Sequence, residues 1–457
     1  MEHQQKKRST FSGKLGFVLS AAGASVGLGN IWRFPYLAAK YGGGIFLLIY
    51  IVLALTFGYT MITAETALGR MTQKSPVGAY KSFGKSKFLS FGGWINAVIP
   101  MLIVPYYSVI GGWVIKYLAE YIMGHGEQLA ADGYFGEFIS NGASTEICFL
   151  IFTLCTVGII FGGVRNGVER VSKFMMPILV VLSVLISIYS VTRPGALEGV
   201  KYFLIPNFTN FSWMTVVSAM GQMFYSLSIA MGILITFGSY MKKDVSIESS
   251  TKNVEIFDTG IAIMSGLMII PAVFAFSGGD ADTLQAGPSL MFITLPKVFA
   301  TIGMGNIVGV LFFFLVLCAA LTSSIALTES AVSTFQDELG WGRKKSAAVV
   351  TVIMVLLGTL SSLGYGPLGN VEILGMQFLD FFDFLTNSVM MPIAAIATCL
   401  LVSRTVGVKK IEEEMTAENG TFKRKVIFNF MIKYLCPIFA AIILISSVAN
   451  AFGWISM

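Results

Sequence analysis

Long stretches without a charged side chain are the feature that most restricts how this chain can fold. Each such stretch has at least 18 residues, and an α-helix needs roughly 20 to cross a bilayer. Strands of a membrane β-barrel would instead appear as segments of about 10 residues with alternating polarity. The sequence therefore predicts an all-α membrane protein with eleven transmembrane helices, forming a single domain over residues 1–457. The eleven charge-free intervals are 15–32, 41–64, 88–115, 147–164, 174–192, 202–241, 259–279, 298–328, 346–371, 384–403 and 434–457.

The composition and the placement of the basic residues support this prediction. Only 12% of the residues are charged, against about 25% in soluble proteins. The net charge of +6 could suggest a nucleic-acid partner. However, if the amino terminus is cytoplasmic and each interval crosses the membrane, 25 of the 31 basic residues lie on the cytoplasmic side. This asymmetry is typical of membrane topology, so we expect no nucleic-acid partner and an external carboxyl terminus after Trp454.

The intervals also suggest an internal repeat. Five spans form each half, about 10–192 and about 202–404, and an extra span covers about 426–452. Because each half has an odd number of spans, a repeat of this kind would be inverted in the membrane. We therefore expect a 5+5 inverted repeat.

The first span of each half carries residues that interrupt a helix. Span 1 contains three glycines followed by Asn30, and span 6 contains polar residues between Gly221 and Gly232. A broken helix in lipid leaves backbone groups that protein or ligand must satisfy. Freed carbonyls suit a cation such as sodium, and half-helix amino termini suit a carboxylate. Close packing between helices is the alternative reason for such small residues.

Other polar groups lie within or beside the spans. The hydroxyls of Thr322, Ser323 and Ser324 either complete a cation shell or bond back to their own helix. Asp258 is predicted to open span 7 and Glu65 lies toward the end of span 2, and acids at membrane depth usually face a cavity or a partner. The alternatives are an interfacial position for Asp258 and a bracing role for Glu65.

Signals for enzymatic chemistry are weak. The two histidines, His3 and His125, both lie outside the spans, and the five cysteines contain no Cys-x-x-Cys pair. The sequence Gly84-Lys85-Ser86 resembles a phosphate-binding loop, but Ala79 stands where that loop requires glycine. We therefore predict that the protein is not an enzyme and that any coupling uses an ion gradient.

Residues Gly23 to Pro35, read as Gly-Ala-Ser-Val-Gly-Leu-Gly-Asn-Ile-Trp-Arg-Phe-Pro, form the most specific motif in the chain. With Gly42-Gly43-Gly44, Leu321 to Ser324 and Gln336 to Leu339, the motif resembles the neurotransmitter:sodium symporter family. The resemblance covers nearly the whole chain. It looks most similar to the bacterial eleven-span amino-acid symporters, close to the multihydrophobic amino acid transporter type, which implies a leucine-transporter-like fold with discontinuous helices 1 and 6.

The resemblance implies two sodium sites. One uses the carbonyls of Gly23, Val26 and Ala319 with the hydroxyls of Thr322 and Ser323, and the other uses Ser25, Asn30, Ser226 and Asp258. In chloride-dependent relatives a halide lies beside the second site, where this chain has Tyr50, Gln222, Ser226 and Asp258. Because the Asp258 carboxylate would supply the negative charge, we expect no chloride requirement.

The resemblance also implies a substrate pocket without charged side chains, which favours large hydrophobic or aromatic L-amino acids. Its predicted residues are Ala24, Ser25, Leu28, Gly29, Ile103, Tyr107, Tyr225, Ser226, Ser228, Met231, Ser323 and Leu327.

Gates and a hinge follow from the same resemblance. Arg33 with Asp383 resembles the outer gate, and Gly167 with Pro177 in span 5 resembles a motif for local unwinding. The inner latch resembles a group of five residues in which Phe11 stands where relatives often have Trp. That group consists of Arg8, Phe11, Ser239, Tyr240 and Asp337.

Together these features predict a sodium-coupled symporter of hydrophobic amino acids that works by alternating access in the bacterial plasma membrane. Its expected partners are the amino acid and the lipid bilayer, with no obligate protein partner. The alternatives are a proton-coupled or uncoupled carrier of the same fold, and a sensor that binds an amino acid without moving it.

Overall fold

The computed structural model describes residues 8–278 and 287–455, so His3 lies outside the described residues. The described chain is built from α-helices, which confirms the prediction of an all-α protein. The long helices and the halves of the broken ones are α1 Lys14–Ser25, α2 Gly29–Lys40, α3 Gly44–Thr72, α4 Lys87–Ile122, α5 Gly142–Phe161, α6 Val164–Val191, α7 Trp213–Ser226, α8 Ile233–Ser239, α9 Ile247–Ser277, α10 Gly305–Leu339, α11 Arg343–Leu363, α12 Phe378–Val406 and α13 Lys425–Ala451. Shorter helices of six or more residues cover Pro76–Lys81, Tyr134–Ser140, Ala196–Leu204, Leu290–Ala300 and Val408–Thr416.

Within the described ranges, nine continuous helices are long and apolar enough to cross a membrane. The pair α1 and α2, bent by 56° at its break, makes a tenth span. Helices α7 and α8 have 14 and 7 residues, so neither crosses a bilayer alone. Eleven spans require these two helices to count as one broken span. The eleven-span count and the inverted repeat therefore stay predictions.

Helix α9 corrects the predicted position of Asp258. The charge-free interval placed this residue at the start of its span, but α9 begins at Ile247 and continues well past Asp258. The side chain is 0% exposed, so it is not interfacial. A charge-free interval ends at the first charged residue, whereas a helix continues through a buried carboxylate whose oxygens have hydrogen-bond donors.

The break between α1 and α2 has a clear hydrogen-bonding cause. The Gly27 amide donates to the Asn30 side-chain oxygen at 3.2 Å, and the Leu28 amide donates to the Tyr107 hydroxyl at 3.4 Å. In a continuous helix these amides would bond to the carbonyls four residues earlier, those of Gly23 and Ala24. The break therefore releases these two carbonyls from the helical hydrogen-bond pattern, so that side chains or a ligand can donate to them inside the membrane domain.

The break between α7 and α8 holds the backbone in an uncommon conformation. Ser228 and Ala230 have φ angles of 52° and 61°, a left-handed region that non-glycine residues seldom adopt. The Ala230 amide donates to the Glu65 carboxylate at 2.8 Å, and the Ser228 hydroxyl donates to the Ala24 carbonyl at 3.0 Å. Glu65 therefore stabilises the break through this hydrogen bond, in agreement with the alternative that its role is to brace the broken helix.

Glycines let α3 pack closely against α8 and bring Glu65 to the break. A Cβ atom at Gly69 would overlap the Ile235 carbonyl, and one at Gly238 would overlap the Thr66 carbonyl. Small residues at such crossings allow two helix backbones to approach in a membrane protein.

Candidate functional site

The two breaks meet at a small central cavity of about 30 Å³. This volume is far below the roughly 300 to 1,000 Å³ of common ligand pockets. All twelve residues predicted to bind substrate line the cavity, and Gly27, Asn30 and Ile233 line it as well. The structure therefore brings together residues from α1, α2, α4, α7, α10 and the two breaks.

Gly27 and Ile233 are the lining residues that the predicted ion and substrate sites omit. A Cβ at Gly27 would lie 2.8 Å from the Ser323 hydroxyl and 3.1 Å from the Tyr107 hydroxyl. Ile233 is the first residue of α8. The position of Gly27 in the middle of the span 1 break was an available signal, whereas Ile233 has no comparable signal because its place depends on where α8 begins.

The cavity wall combines apolar side chains with neutral hydrogen-bonding groups. Ile103, Met231 and Leu327 provide apolar surface, and Tyr107 and Ser228 provide hydroxyls. None of the described lining residues carries a formal charge. A zwitterionic ligand in this cavity would therefore need backbone groups, hydroxyls or ions to meet its charged ends.

Oxygen atoms of α10 and of the first break gather beside the cavity. The Ser323 hydroxyl lies 3.2 Å from each of the carbonyl oxygens of Gly23, Ala24 and Val26. The Thr322 hydroxyl donates within its own helix, to the Cys318 carbonyl at 3.0 Å and the Ala319 carbonyl at 3.1 Å. Carbonyl and hydroxyl oxygens are ligands that hard cations prefer. The five residues predicted for the first sodium site thus lie close together and carry oxygens of the kind that sodium prefers, and their role as ligands stays a prediction.

The Asp258 carboxylate is the centre of a second polar cluster. The Asn30 amide donates to it at 2.8 Å, the Ser226 hydroxyl at 2.9 Å and the Tyr50 hydroxyl at 3.3 Å. The Ser25 hydroxyl lines the cavity but donates back to the Ala21 carbonyl at 3.1 Å. The structure therefore brings together Asn30, Ser226 and Asp258 from the predicted second sodium site, while the Ser25 hydroxyl bonds within its own helix.

The electrostatics of this cluster favour a cation. Asp258 is fully buried and forms no salt bridge with the lysines or arginines of the described ranges. A carboxylate buried without a partner charge is costly at membrane depth. The Gln222 amide donates to the Gly29 carbonyl at 2.9 Å, and its own oxygen is buried without a hydrogen-bond partner. These groups could hold a monovalent cation next to the cavity.

A larger cavity, which we call the vestibule, lies next to the central cavity and has a volume of about 410 Å³. Leu28, Tyr107 and Tyr225 line both cavities, so they form the boundary between them. Arg33 and Asp383 also line the vestibule.

The two outer-gate residues face the same cavity without forming an ion pair. The Arg33 guanidinium lies 5.3 Å from the centre of the Tyr225 ring. The Asp383 carboxylate instead accepts hydrogen bonds from Tyr106 at 3.2 Å and Asn387 at 2.5 Å. Closure of the predicted outer gate would therefore require Arg33 and Asp383 to move toward each other.

The opposite side of the molecule, which we call the latch side, is closed by the five predicted latch residues. The Arg8 guanidinium lies 2.6 Å from the Asp337 carboxylate and 2.7 Å from the Ser239 hydroxyl. The Phe11 amide donates to the Tyr240 carbonyl at 3.0 Å, and the two rings meet edge to face. The five latch residues thus form one connected set of contacts.

The latch continues into residues that the sequence did not single out. The Tyr240 hydroxyl donates to Glu329 at 2.8 Å, and Glu329 forms a salt bridge with Arg343 at 2.5 Å. The Asp337 carboxylate also accepts a hydrogen bond from the Ser75 amide at 2.6 Å. Glu329 ends the charge-free interval 298–328, a signal that could have identified it.

The predicted unwinding motif lies in α6. Gly167 falls in the wide first turn Val164–Glu169, where a Cβ would overlap the Ile159 carbonyl. Pro177 lies inside the regular part of the helix. The neighbouring Met176 sulfur is 3.4 Å from the position of a Cβ on Gly23. The motif therefore lies next to the predicted first sodium site.

A membrane domain with two interrupted helices, a central cavity and a closed latch on one side defines a secondary transporter. The family model described as the sodium:neurotransmitter symporter family matches residues 8–126 and 137–453. The chain belongs to this family. It is thus a sodium-dependent membrane transporter, and the predictions of the family and of a non-enzymatic protein are confirmed.

Bacterial relatives match along nearly their whole length. The chain is 33% identical to the sodium-dependent transporter YhdH of Bacillus subtilis, over 97% of this chain and 98% of that protein. A sodium-dependent transporter of Haemophilus influenzae is 32% identical over 98% of this chain and 100% of that protein.

A mammalian relative is matched over a smaller share of its length. The sodium- and chloride-dependent taurine transporter of Rattus norvegicus is 26% identical over 84% of this chain and 68% of that protein.

A solved structure shares the fold. The crystal structure of MhsT in complex with L-phenylalanine superimposes with a TM-score of 0.85 and 35% sequence identity, covering 96% of this chain and 100% of that chain. This similarity confirms the leucine-transporter-like fold that the resemblance implied.

Proposed function

We propose that this protein is a sodium-coupled symporter of large hydrophobic and aromatic L-amino acids. The observation that carries the proposal is the central cavity, whose described lining is uncharged and lies between two clusters of carbonyl, hydroxyl and carboxylate oxygens. The similarity to a structure that holds L-phenylalanine supports the same substrate class.

The proposed pose uses the groups freed by the helix breaks. The substrate carboxylate would face the Leu28 and Gly29 amides and the Tyr107 hydroxyl, and its amine would face the free carbonyls. The side chain would lie among Ile103, Met231 and Leu327. Because the cavity is only about 30 Å³, a large side chain must displace its neighbours. Met231 is flexible enough to repack around substrates of different shape.

Two sodium ions would couple to this substrate. One would bind between α1 and α10 at Thr322 and Ser323, and the other would bind at Asn30, Ser226 and Asp258 with the substrate carboxylate as a further ligand. A shared ligand makes each binding event favour the other, which is the basis of coupling.

We further propose that transport needs no chloride. The Tyr50 and Ser226 hydroxyls both donate to the Asp258 carboxylate, so the donors that would hold a halide already have an anionic partner. This distinguishes the chain from relatives such as the rat taurine transporter, whose name states chloride dependence.

The proposed topology is that of alternating access across the bacterial plasma membrane. Eleven spans, with five in each inverted repeat and one extra span, would place the latch side in the cytoplasm and the vestibule on the external side. Sodium would favour the arrangement with a closed latch, and the amino acid would then allow the outer gate to close before the latch opens.

Uptake into proteoliposomes tests the proposal. With an inward sodium gradient at fixed pH, we expect labelled leucine or tryptophan to accumulate against its gradient, and unlabelled hydrophobic amino acids to compete. The control replaces external sodium with potassium. Accumulation driven by a proton gradient alone would support a proton-coupled carrier, and binding without flux would support a sensor; either result would refute sodium symport.

A further inference from the structure

A third cavity, larger than the vestibule, lies away from the substrate pathway and has a volume of about 520 Å³. It lies on the vestibule side between the end of α6, the end of α9 and the turn that precedes α10. Ligand cavities in proteins commonly span about 300 to 1,000 Å³. The size is therefore sufficient for part of a lipid-sized molecule.

The cavity has a polar end near the membrane surface. Arg193 lies there, with its guanidinium 4.1 Å from the centre of the Tyr189 ring and its Nε donating to the Tyr189 carbonyl. Arg193 forms no salt bridge with any acid in residues 8–278 and 287–455. Ser190 is only 3% exposed, and its hydroxyl has no hydrogen-bond partner within the described part of the chain. Neither side chain has an anionic partner among the described residues, so an anionic group in the cavity could accept charge-assisted hydrogen bonds from the remaining Arg193 N–H groups and a hydrogen bond from Ser190.

The rest of the cavity is apolar and extends into the membrane. Ile186 lies in α6 five residues before its last residue, Val191, which corresponds to about 7.5 Å along the axis, and Arg193 follows just after the helix ends. Met268 and Val308 line this deeper part. Ile188 and Ile307, which neighbour lining residues on the same helices, are 55% and 56% exposed and thus face the lipid. The cavity therefore joins a lipid-facing surface.

We propose that this cavity binds an anionic phospholipid, with its phosphate on Arg193 and Ser190 and one acyl chain along Ile186, Met268 and Val308. The Arg193 charge, which no acid in the described ranges compensates, favours a headgroup without an ammonium, because an ammonium would lie close to the Arg193 guanidinium. Phosphatidylglycerol has this chemistry.

Native mass spectrometry of the full-length protein in detergent micelles tests the site. We expect one tightly retained molecule of palmitoyl-oleoyl phosphatidylglycerol, and weaker retention of the phosphatidylcholine of the same chains. Arg193→Gln should raise the dissociation constant of that molecule about tenfold, as expected for loss of about 1.4 kcal/mol from a charge-assisted hydrogen bond. Lys201→Gln is the matched control, because it removes a charge on the same side that is paired with Glu198.

Filling the cavity provides a second variant. Ala272→Trp should exclude the acyl chain, whereas Ile188→Trp adds the same ring on the lipid-facing surface and should leave retention unchanged. Equal retention by Arg193→Gln and Lys201→Gln, or equal retention of the two phospholipids, would overturn the proposal. Displacement by sodium laurate as effective as that by phosphatidylglycerol would also overturn it, since the site would then recognise a fatty acid.

Discussion

At the scale of single residues, the buried carboxylate of Asp258 is the most informative group. Three neutral donors from distant parts of the chain satisfy its oxygens, but no described basic side chain compensates its charge. A charge held in this way can be balanced by a cation that arrives and leaves. The residue thus has a role in folding through its hydrogen bonds and a proposed role in coupling through its charge.

Asp258→Asn tests the second role. The change keeps the size of the side chain but removes its charge, so sodium affinity should fall by about tenfold, equivalent to about 1.4 kcal/mol. Transport by the variant should also become stimulated by chloride, because an anion can replace the missing charge. Sodium-driven uptake in chloride and in gluconate buffers measures both effects.

The control for this substitution is Glu137→Gln, which removes an exposed carboxylate on the vestibule side. It should behave as the unmodified protein does. Chloride dependence of the unmodified protein, or unchanged sodium affinity in Asp258→Asn, would contradict the proposed role.

Gly27 permits a second prediction at this scale. A methyl group there would lie 2.8 Å from the Ser323 hydroxyl, within the central cavity. Gly27→Ala should therefore weaken binding of leucine at least about tenfold, because overpacking a close-fitting site costs about 1–3 kcal/mol. Equilibrium binding of labelled leucine measures the effect.

Gly260→Ala serves as the comparison, because a Cβ at Gly260 meets nothing within 4 Å and the residue lies in helix α9. Its binding should stay unchanged. If the two alanine variants bound leucine equally well, Gly27 would not limit the size of the cavity.

At the scale of elements, the broken helices are held by partners from other helices. Glu65 of α3 stabilises the break after α7, and Tyr107 of α4 stabilises the break after α1. Helix α6 differs, because its wide first turn and Pro177 lie in one continuous segment beside Gly23. Its opening would uncover the predicted first sodium site from the latch side.

Pro177→Ala tests the opening of α6. Proline inside a helix removes one backbone hydrogen bond, so alanine should stabilise the closed helix and slow the release of sodium. The rate of release of radioactive sodium into proteoliposomes after addition of substrate should decrease severalfold, while sodium binding at equilibrium should change little.

Val181→Ala, an exposed position on the same helix, is the reference variant and should release sodium at the normal rate. An unchanged release rate in Pro177→Ala would show that unwinding of α6 does not control this step.

At the scale of the whole molecule, the two sides differ in whether their gate residues contact each other. The latch residues form direct charged and aromatic contacts, whereas Arg33 and Asp383 share the vestibule without pairing. Alternating access requires these two sets of contacts to exchange, and the free-energy difference between them determines which side is open.

Asp337→Asn should shift this balance. Asp337 accepts hydrogen bonds from Arg8 and from the Ser75 amide, each at 2.6 Å, and bonds to charged groups contribute about 1.5–3 kcal/mol. Weakening them should populate the arrangement with an open latch and raise the apparent dissociation constant of sodium by about tenfold. Sodium-dependent binding of labelled substrate to the purified protein measures the change.

Glu338→Gln is the control, since Glu338 is the adjacent residue and pairs only with Lys81 among the described residues. Its sodium affinity should match that of the unmodified protein. Equal sodium affinity in Asp337→Asn would mean that this ion pair does not determine the open side.

The sequence by itself determined the membrane class, the family and most of the residues around the central cavity. Runs without charge identify the membrane-spanning helices, because lipid tolerates few charged side chains along such a helix. The two breaks can be predicted because glycine, asparagine and serine cluster in segments where a lipid-facing helix would carry apolar side chains. The twelve substrate residues that the family resemblance implied all line one cavity, although their roles stay predictions.

Only the tertiary structure decided what depends on contacts between distant residues. It moved Asp258 from the predicted start of a span to the inside of α9, because Asn30, Tyr50 and Ser226 satisfy the carboxylate there. It also connected the latch to Glu329 and formed the third cavity, which Arg193 lines. The pattern of charged and apolar residues along one segment predicts whether that segment can span the membrane. Burial of a charge and the shape of a cavity depend instead on which helices pack together.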